Sequence, residues 1–450
     1  MHQRCSRRNF LRQSTLGAAV VPAMGAALFS PAVAAAQAAG VKPGDLPDFT
    51  IKEVKVYVAD LKDTHKYNST ETGEIVSIVT HDGIEGNYTL GNRARTENWL
   101  AWAKPNLTGK NMLELLPAIT ATSGMKSTSG FGGPRQRPAP PAMPTPNQLS
   151  AGPSYDNPMR GGGTWPNYYT ASAEICFWDI LGKALNLPLY KILGGGSKDR
   201  LVAYASSRHL PAIEDYVPDV LKAKAQGFKA YKIHPGRGQH AKGVAIPVYI
   251  GHMEIIREIR KAVGDEFVLA HDPVQNYNRY EAMAVGRLLD ELNYAWYEDP
   301  IRSIDADGLV ELCAALTLPI HVGEFLYLVA DFAEYIRRGA LDVVRLIADN
   351  AGGISGSMRL GLLADAFGLE CTPHNWGNVL DLAVHFHIEL ALPNAYWFEM
   401  PFPGEWTDRP YHQDTFRLDE EGNVKAPTKA GLGFPIDRDG LDKILKRIDR

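Results

Sequence analysis

Eight short apolar runs, separated in turn by segments of helical period, occupy the chain from Leu201 to Glu399. They are Leu201–Ala205, Ala230–His234, Phe267–Asp272, Ala295–Asp299, Ile320–Glu324, Val343–Ile347, Glu370–His374 and Ala395–Glu399. Strands this apolar are covered on both faces, and a helix between consecutive strands makes each parallel to the next. Ile213–Gln226, Tyr249–Val263, Tyr280–Leu292 and Ala306–Ala315 supply such helices. A parallel α/β barrel is the arrangement this pattern predicts.

The chain ahead of the barrel reads differently. Ile51–Val58 and Ile75–Thr80 alternate with period two, and His81-Asp82-Gly83 supplies a turn before a third short strand, so a small antiparallel sheet is expected. Residues 134–158 contain eight prolines, and Gly161-Gly162-Gly163 ends the stretch. That composition rules out a helix or a central strand and suits either a lid or a solvated insert spanning residues 130–163. The first residues read as an address. Ser6-Arg7-Arg8-Asn9-Phe10-Leu11 precedes an apolar stretch from Leu16 to Leu28 and an Ala-rich run, the layout of a twin-arginine signal peptide over residues 1–38. Export to a bacterial periplasm, or secretion, is the localisation expected of it. With 47 Lys and Arg against 51 Asp and Glu, the net charge of −4 gives no basic field for nucleic acid, and no membrane contact is expected once the signal is removed. Four cysteines, one inside the signal, make no disulfide framework; Cys176, Cys313 and Cys371 are read as buried apolar residues.

In a parallel barrel the C-terminal strand ends converge on one face, so polar residues there mark a site. Asp272, Glu298 and Glu324 end three consecutive runs at equal spacing, one βα unit apart. One acid after a strand is ordinarily a helix cap; three converging carboxylates need a cation among them, and all-oxygen ligation suits Mg2+. Alternation along Lys229–His234 aims Lys232 and His234 at the same mouth, and Cys371–Trp376 brings His374 to the opposite side, with the metal between the two histidines.

These strand ends, together with the run Ile175–Gly195 that contains Trp178-Asp179-Ile180-Leu181-Gly182-Lys183, closely resemble the enolase superfamily in its mandelate racemase and muconate lactonising branch. The resemblance runs from the hairpin at His81 to the closing Gly431–Asp437. It implies a modified (β/α)7β barrel over residues 171–400, and an N-terminal α+β capping domain over residues 48–170 that residues 401–450 return to complete. It further implies one Mg2+ held by Asp272, Glu298 and Glu324, a strand-two pair as base on one face, and His374 as acid or base on the other. By the same resemblance Glu399 contacts the substrate or the developing enediolate. This chain departs from the family at three points. His234 stands where a catalytic lysine is usual. Val274 replaces the usual Asn two residues past the first ligand. Ile347 occupies the strand-six position of the aspartate that orients the histidine. Asp349, two residues further on an extended strand, is the candidate to orient His374.

The expected chemistry is abstraction of the proton α to a carboxylate, with the dianion stabilised by Mg2+ and with Lys232 lowering the pKa of His234 so that it stays a neutral acceptor. If a β-hydroxyl is then protonated by His374, water leaves. Dehydration of a sugar acid or related hydroxy acid is the leading expectation, with a racemase, epimerase or cycloisomerase next and a non-catalytic binding protein more distant. The partners expected are a small carboxylate and further copies of the chain in a homo-oligomer.

Overall fold

The computed structural model describes residues 46–61, 72–90, 96–122, 165–236, 247–327, 329–404 and 409–450. The signal segment 1–38 and the proline-rich stretch 130–163 lie outside them. Two sheets organise the described chain. The first is antiparallel, built from β1 (Ile51–Asp60), β2 (Thr72–Thr80), β3 (Glu85–Thr89) and β13 (Leu445–Asp449) in the order β13-β1-β2-β3. The C-terminal strand therefore does return to the N-terminal sheet, pairing Val56 with Asp449 and Tyr57 with Ile448. Two helices, α1 (Thr96–Leu107) and α2 (Met112–Thr122), complete this layer, α1 through its buried face of Trp99, Leu100, Ala103 and Leu107.

The second sheet is the curled parallel one. Its strands are β4 (Arg200–Ser207), β5 (Ala230–Ile233), β6 (Val268–His271), β7 (Trp296–Glu298), β8 (Ile320–Val322), β9 (Val343–Val344), β10 (Glu370–Cys371) and β11 (Trp397–Phe402). Their order is β10-β9-β8-β7-β6-β5-β4-β11, and β12 (Asn423–Lys425) pairs antiparallel with β4. All eight expected runs are strands, and the fold is the modified barrel with its capping sheet. No ladder joins β10 to β11 among the described residues. The two edges meet instead through Asn375, whose Nδ2 donates to the Glu399 carbonyl at 3.1 Å, and through Cys371 N donating to Asn394 O at 3.0 Å. Where expected helices followed the strands, α4 (Tyr216–Ala225), α5 (Val248–Val263), α6 (Arg279–Glu291) and α7 (Ala306–Ala315) form, with α8 (Val329–Arg338), α9 (Gly353–Ala366) and α10 (Val379–Ala391) further on. Asn278 caps α6 by accepting from Glu281 N at 3.0 Å, and Asp305 caps α7 by accepting from Gly308 N at 3.1 Å.

A long helix, α3 (Trp165–Ala184), joins the two layers through two buried acids. Asp179 accepts from Asn87 N on β3 at 3.0 Å and from Leu432 N in the tail at 2.9 Å, and pairs with Lys183 at 2.6 Å. Glu174 accepts from Ile354 N at 2.8 Å and Ser355 N at 2.9 Å, satisfying the free N–H groups that open α9. Gly353 permits that approach: its φ is +89°, and a Cβ there would sit 2.2 Å from the Glu174 carboxylate. Cys176 and Cys371 are buried as expected, whereas Cys313 is only partly so; all three are free thiols.

The barrel interior is layered. Tyr204, Ala230, Ala270 and Trp296, with Trp397 against them, form a separate apolar cluster inside the sheet. Tyr204 meets the Trp296 ring edge-on at 5.1 Å, and His321 stacks on Trp296 at 5.3 Å. Because side chains alternate along a strand, residues two positions further point into the same space one layer higher. Those residues are Ser206, Lys232, Asp272, Glu298 and Glu399, and each is buried. The apolar layer is thus a plug, and the site is built on top of it.

Candidate active site

Parallel register places the three acids. Asp272 N donates to Ile233 O at 2.8 Å, and Glu298 pairs with His321 across β7 and β8. Glu324 is off phase, since His321 already takes the inward position and Gly323 takes the next one. Gly323 has φ +144°, and its backbone turn brings Glu324 back into the site; a Cβ there would meet Arg345 O at 2.7 Å and Phe332 at 2.5 Å. One oxygen from each of Asp272, Glu298 and Glu324 lies within 4.8 Å of the others, and all three residues are buried.

Two cations neutralise part of this charge. Lys232 Nζ donates to Asp272 Oδ2 at 3.0 Å and Glu298 Oε1 at 2.9 Å, and pairs with Glu399 Oε1 at 2.8 Å. Arg345 bridges Glu298 and Glu399 and donates to the carbonyls of Thr372 and Pro373 at 3.2 and 3.1 Å. Asp299, fully buried beside them, adds a further carboxyl for which no hydrogen-bond partner is found among the described residues. Asp272, Glu298, Asp299, Glu324 and Glu399 against Lys232 and Arg345 leave an excess of negative charge out of water. Burial pushes the Glu298 carboxyl up to about 7 against the pull of Arg345 and Lys232. Burial and the neighbouring carboxylates raise Glu324 and Asp299 well above their ordinary values. Burial opposes ionisation of Asp272 too, yet Lys232 and His234 hold it low. Glu298 Oε2 also has no hydrogen-bond partner among the described residues. Excess charge, an unused buried carboxylate oxygen and an all-oxygen donor set fit a hard divalent cation at this triad.

The histidines flank the triad. His234 Nε2 lies 4.0 Å from Asp272 Oδ2, and His374 Nε2 lies 3.2 Å from Glu324 Oε2. Burial lowers both imidazoles, His234 to about 3, so each is neutral at physiological pH. The expected influence of Lys232 on His234 is present but small beside burial. Lys232 itself is held as ammonium by Glu298, Glu399 and Asp272 against strong desolvation, which leaves His234 as the strand-two group with a free lone pair.

One expected residue, Asp349, stands differently. Asp349 is not on an extended strand: β9 is only two residues long, and Asp349 lies in the helical turn Ala348–Ala351. Its charge acts on Asp381 and Tyr88, at the capping-sheet side, and does not figure among the groups that shift His374, which pairs with Glu324 instead. Glu399 is fully buried, and its oxygens face Lys232, Arg345 and the Asn375 N–H, the last at 2.6 Å. It therefore anchors the two buried cations. Arg345 escaped the sequence reading although the signal was there: a lone charge inside the apolar run Val343–Ile347, on the strand between the last ligand and His374.

A parallel barrel that gathers buried carboxylates at its C-terminal strand ends, with an imidazole on either side, belongs to the metal-assisted acid–base enzymes. Within that class this chain belongs to the enolase superfamily: residues 215–440, half of its length, match the family described as Enolase C-terminal domain-like. Arabinonate dehydratase from Saccharolobus solfataricus is 30% identical over 275 residues, covering 60% of this chain and 70% of that protein. D-galactarolactone cycloisomerase from Agrobacterium fabrum is 25% identical over 279 residues, covering 60% and 71%. Among solved structures, D-glucarate dehydratase from Agrobacterium tumefaciens complexed with magnesium superposes with a TM-score of 0.69 at 23% identity, over 89% of this chain and 100% of that one.

Proposed function

We propose that the chain is a magnesium-dependent dehydratase of sugar acids. The observation that carries this reading is the placement of two neutral histidines on either side of a buried three-carboxylate site. Asp272, Glu298 and Glu324 would hold the ion, which supplies, when bound, charge stabilisation for the dianion that forms on a substrate carboxylate. His234 Nε2 accepts the α-proton. Lys232 and Arg345 remain charged throughout and fix Glu298 and Glu399, so the ligand geometry does not depend on the proton in transit. His374, on the other side, takes up a proton from solvent and, as imidazolium, delivers it to the departing β-hydroxyl. The arabinonate and glucarate dehydratases among the similar proteins, the latter solved with magnesium, support this assignment of substrate class and ion. A second reading, cycloisomerisation or epimerisation, is favoured by the same two-sided histidines and by the cycloisomerase relative. Export through the twin-arginine pathway rests on Ser6–Leu11 and the apolar stretch behind it, and self-association is part of the same proposal.

Incubation with magnesium and a set of acid sugars in deuterium oxide tests the reading. Wash-in of deuterium at the α-carbon with appearance of a 2-keto acid is the expected result. His234→Asn should stop exchange, and His374→Asn should allow exchange while blocking elimination, each step losing about 10²–10⁴-fold. Exchange without a keto product in the parent would favour the epimerase reading, and no exchange with any acid would overturn both.

A further inference from the structure

A third histidine stands at the mouth. His209, just past the end of β4, has an exposed side chain, and its ring lies nearly parallel on that of His234, with centroids 4.0 Å apart and planes at 21°. Its Nδ1 is 3.1 Å from the His234 carbonyl oxygen. A carbonyl can only accept, so Nδ1 carries the hydrogen and, in the neutral ring, Nε2 keeps its lone pair. The His234 peptide does not need this bond to stay in place. Its carbonyl also accepts from Tyr216 OH at 3.1 Å, and its N–H donates to Ser207 Oγ at 2.9 Å. Tilted beside the same imidazole, Trp376 sits at 6.0 Å and is tied by its indole N–H to Ser206 Oγ at 2.9 Å. His209 Nε2 is thus the one ring nitrogen of the stacked pair's outer member with no hydrogen bond to a described residue, next to the proposed base and open to the mouth.

Resting on the dehydratase reading, the geometry points to His209 Nε2 as the group that recognises a hydroxyl on the substrate chain beyond the α-carbon. With the carboxylate at the triad and the α-hydrogen at His234, the rest of the substrate has to leave the buried layer past His234. The ring stacked on His234 there is that of His209, with centroids 4.0 Å apart, and it offers its Nε2. A polyol chain carries hydroxyls that donate to such a nitrogen; a simple hydroxy acid has nothing there to offer. His209 therefore selects acid sugars over short hydroxy acids while the triad and the two histidines treat both alike.

Side-chain amides separate recognition from support. In His209→Asn the amide occupies the Nδ1 position and can still donate to the His234 carbonyl, but it does not reach the Nε2 position; in His209→Gln the amide reaches it. The full chain loaded with magnesium is titrated calorimetrically with arabinonate and with lactate, and α-proton exchange of arabinonate by the parent is followed alongside. We expect His209→Asn to weaken arabinonate about tenfold, the loss of one hydrogen bond, with less than a twofold change for lactate, and His209→Gln to recover most of the loss. If Asn and Gln variants bind arabinonate as the parent does, His209 recognises nothing and the inference falls while the dehydratase reading stands. Equal losses for arabinonate and lactate, rescued by Asn rather than Gln, would make His209 only a prop for His234 and likewise overturn it. Absence of exchange by the parent with any aldonate would remove the dehydratase reading and this inference together.

Discussion

The β6–β8 arc and the β9–β11 arc of the same barrel both contribute to the polar layer, yet they are built differently. Along β6–β8 every strand ends in an acid, at Asp272, Glu298 and Glu324, and one oxygen of each lies within 4.8 Å of the others. Along β9–β11 two of the inward residues, Arg345 and Glu399, pair with each other and with groups already in the protein, and the third, His374, faces Glu324. The first arc keeps a buried carboxylate oxygen, Glu298 Oε2, without a hydrogen-bond partner among the described residues, and the second, His374 apart, is a closed ionic scaffold that supports it. Charges arranged to receive something leave an acceptor atom unused and outnumber their partners, whereas charges arranged to support are matched at short range.

The largest effect expected from breaking this contrast is on the open arc. Glu298→Gln removes one of the three proposed anionic ligands without emptying core volume, and it also removes a charge that both Lys232 and Arg345 face. Magnesium affinity should fall by at least ~100-fold, with far-ultraviolet dichroism retained. Calorimetric titration decides it, and unchanged affinity would take Glu298 out of the metal shell.

On the closed arc the loss should be in stability. Arg345→Met leaves Glu298 and Glu399 without a guanidinium in a fully buried space, and removing one partner of such a network costs roughly 3–5 kcal/mol. Denaturant titration measures it. A loss under about 1 kcal/mol would mean that water reaches Glu399 and that this arc is no scaffold.

How far the sequence revealed each arc follows from strand length. Alternating apolar runs located all eight strands, and one acid per βα unit located the triad, because β5–β7 run long enough for a residue two positions on to keep its face. Counting along β9 fails because that strand stops at Val344 and the chain coils into a helical turn by Ala348, which sends Asp349 elsewhere. The even spacing found Glu324 although its strand is out of phase; only the φ of Gly323 explains why it arrives. Pairings such as Arg345 with Glu399 join residues from different strands, and no local pattern encodes them. His209 lies outside the expected strand Leu201–Ala205, so nothing in the alternation pointed to it.

A smaller effect reaches the shell behind the closed arc through pH. His385 on α10 accepts from Ala348 N at 2.9 Å, and His387 accepts from Tyr190 N at 3.0 Å, so each must be neutral to keep its bond. Burial lowers both to about 4. Between pH 6.5 and 4 the unfolded chain binds these protons and the folded chain does not, so stability falls as pH drops through that window, by roughly 1.4 kcal/mol per pH unit for each histidine. Thermal midpoints of the parent and His387→Gln should converge toward pH 4; parallel curves would mean that His387 is not held neutral.

The smallest effect belongs to Asp349, and its smallness is what sharpens the contrast. Were it the partner that orients His374, Asp349→Asn would cost orders of magnitude in elimination, as loss of an orienting carboxylate does. The structure ties His374 to Glu324 at 3.2 Å and leaves the Asp349 charge acting on Asp381, whose carboxyl burial and Asp349 together raise to about 7. Removing that charge should leave kcat and KM within twofold of the parent. It should also relieve repulsion at the Asp381 cap, where Asn378 N donates to the carboxylate at 3.0 Å, and stabilise the fold by about 0.5 kcal/mol. A hundredfold loss of elimination with α-proton exchange intact would instead return Asp349 to the site and show that this arc positions His374 as well as supporting the triad.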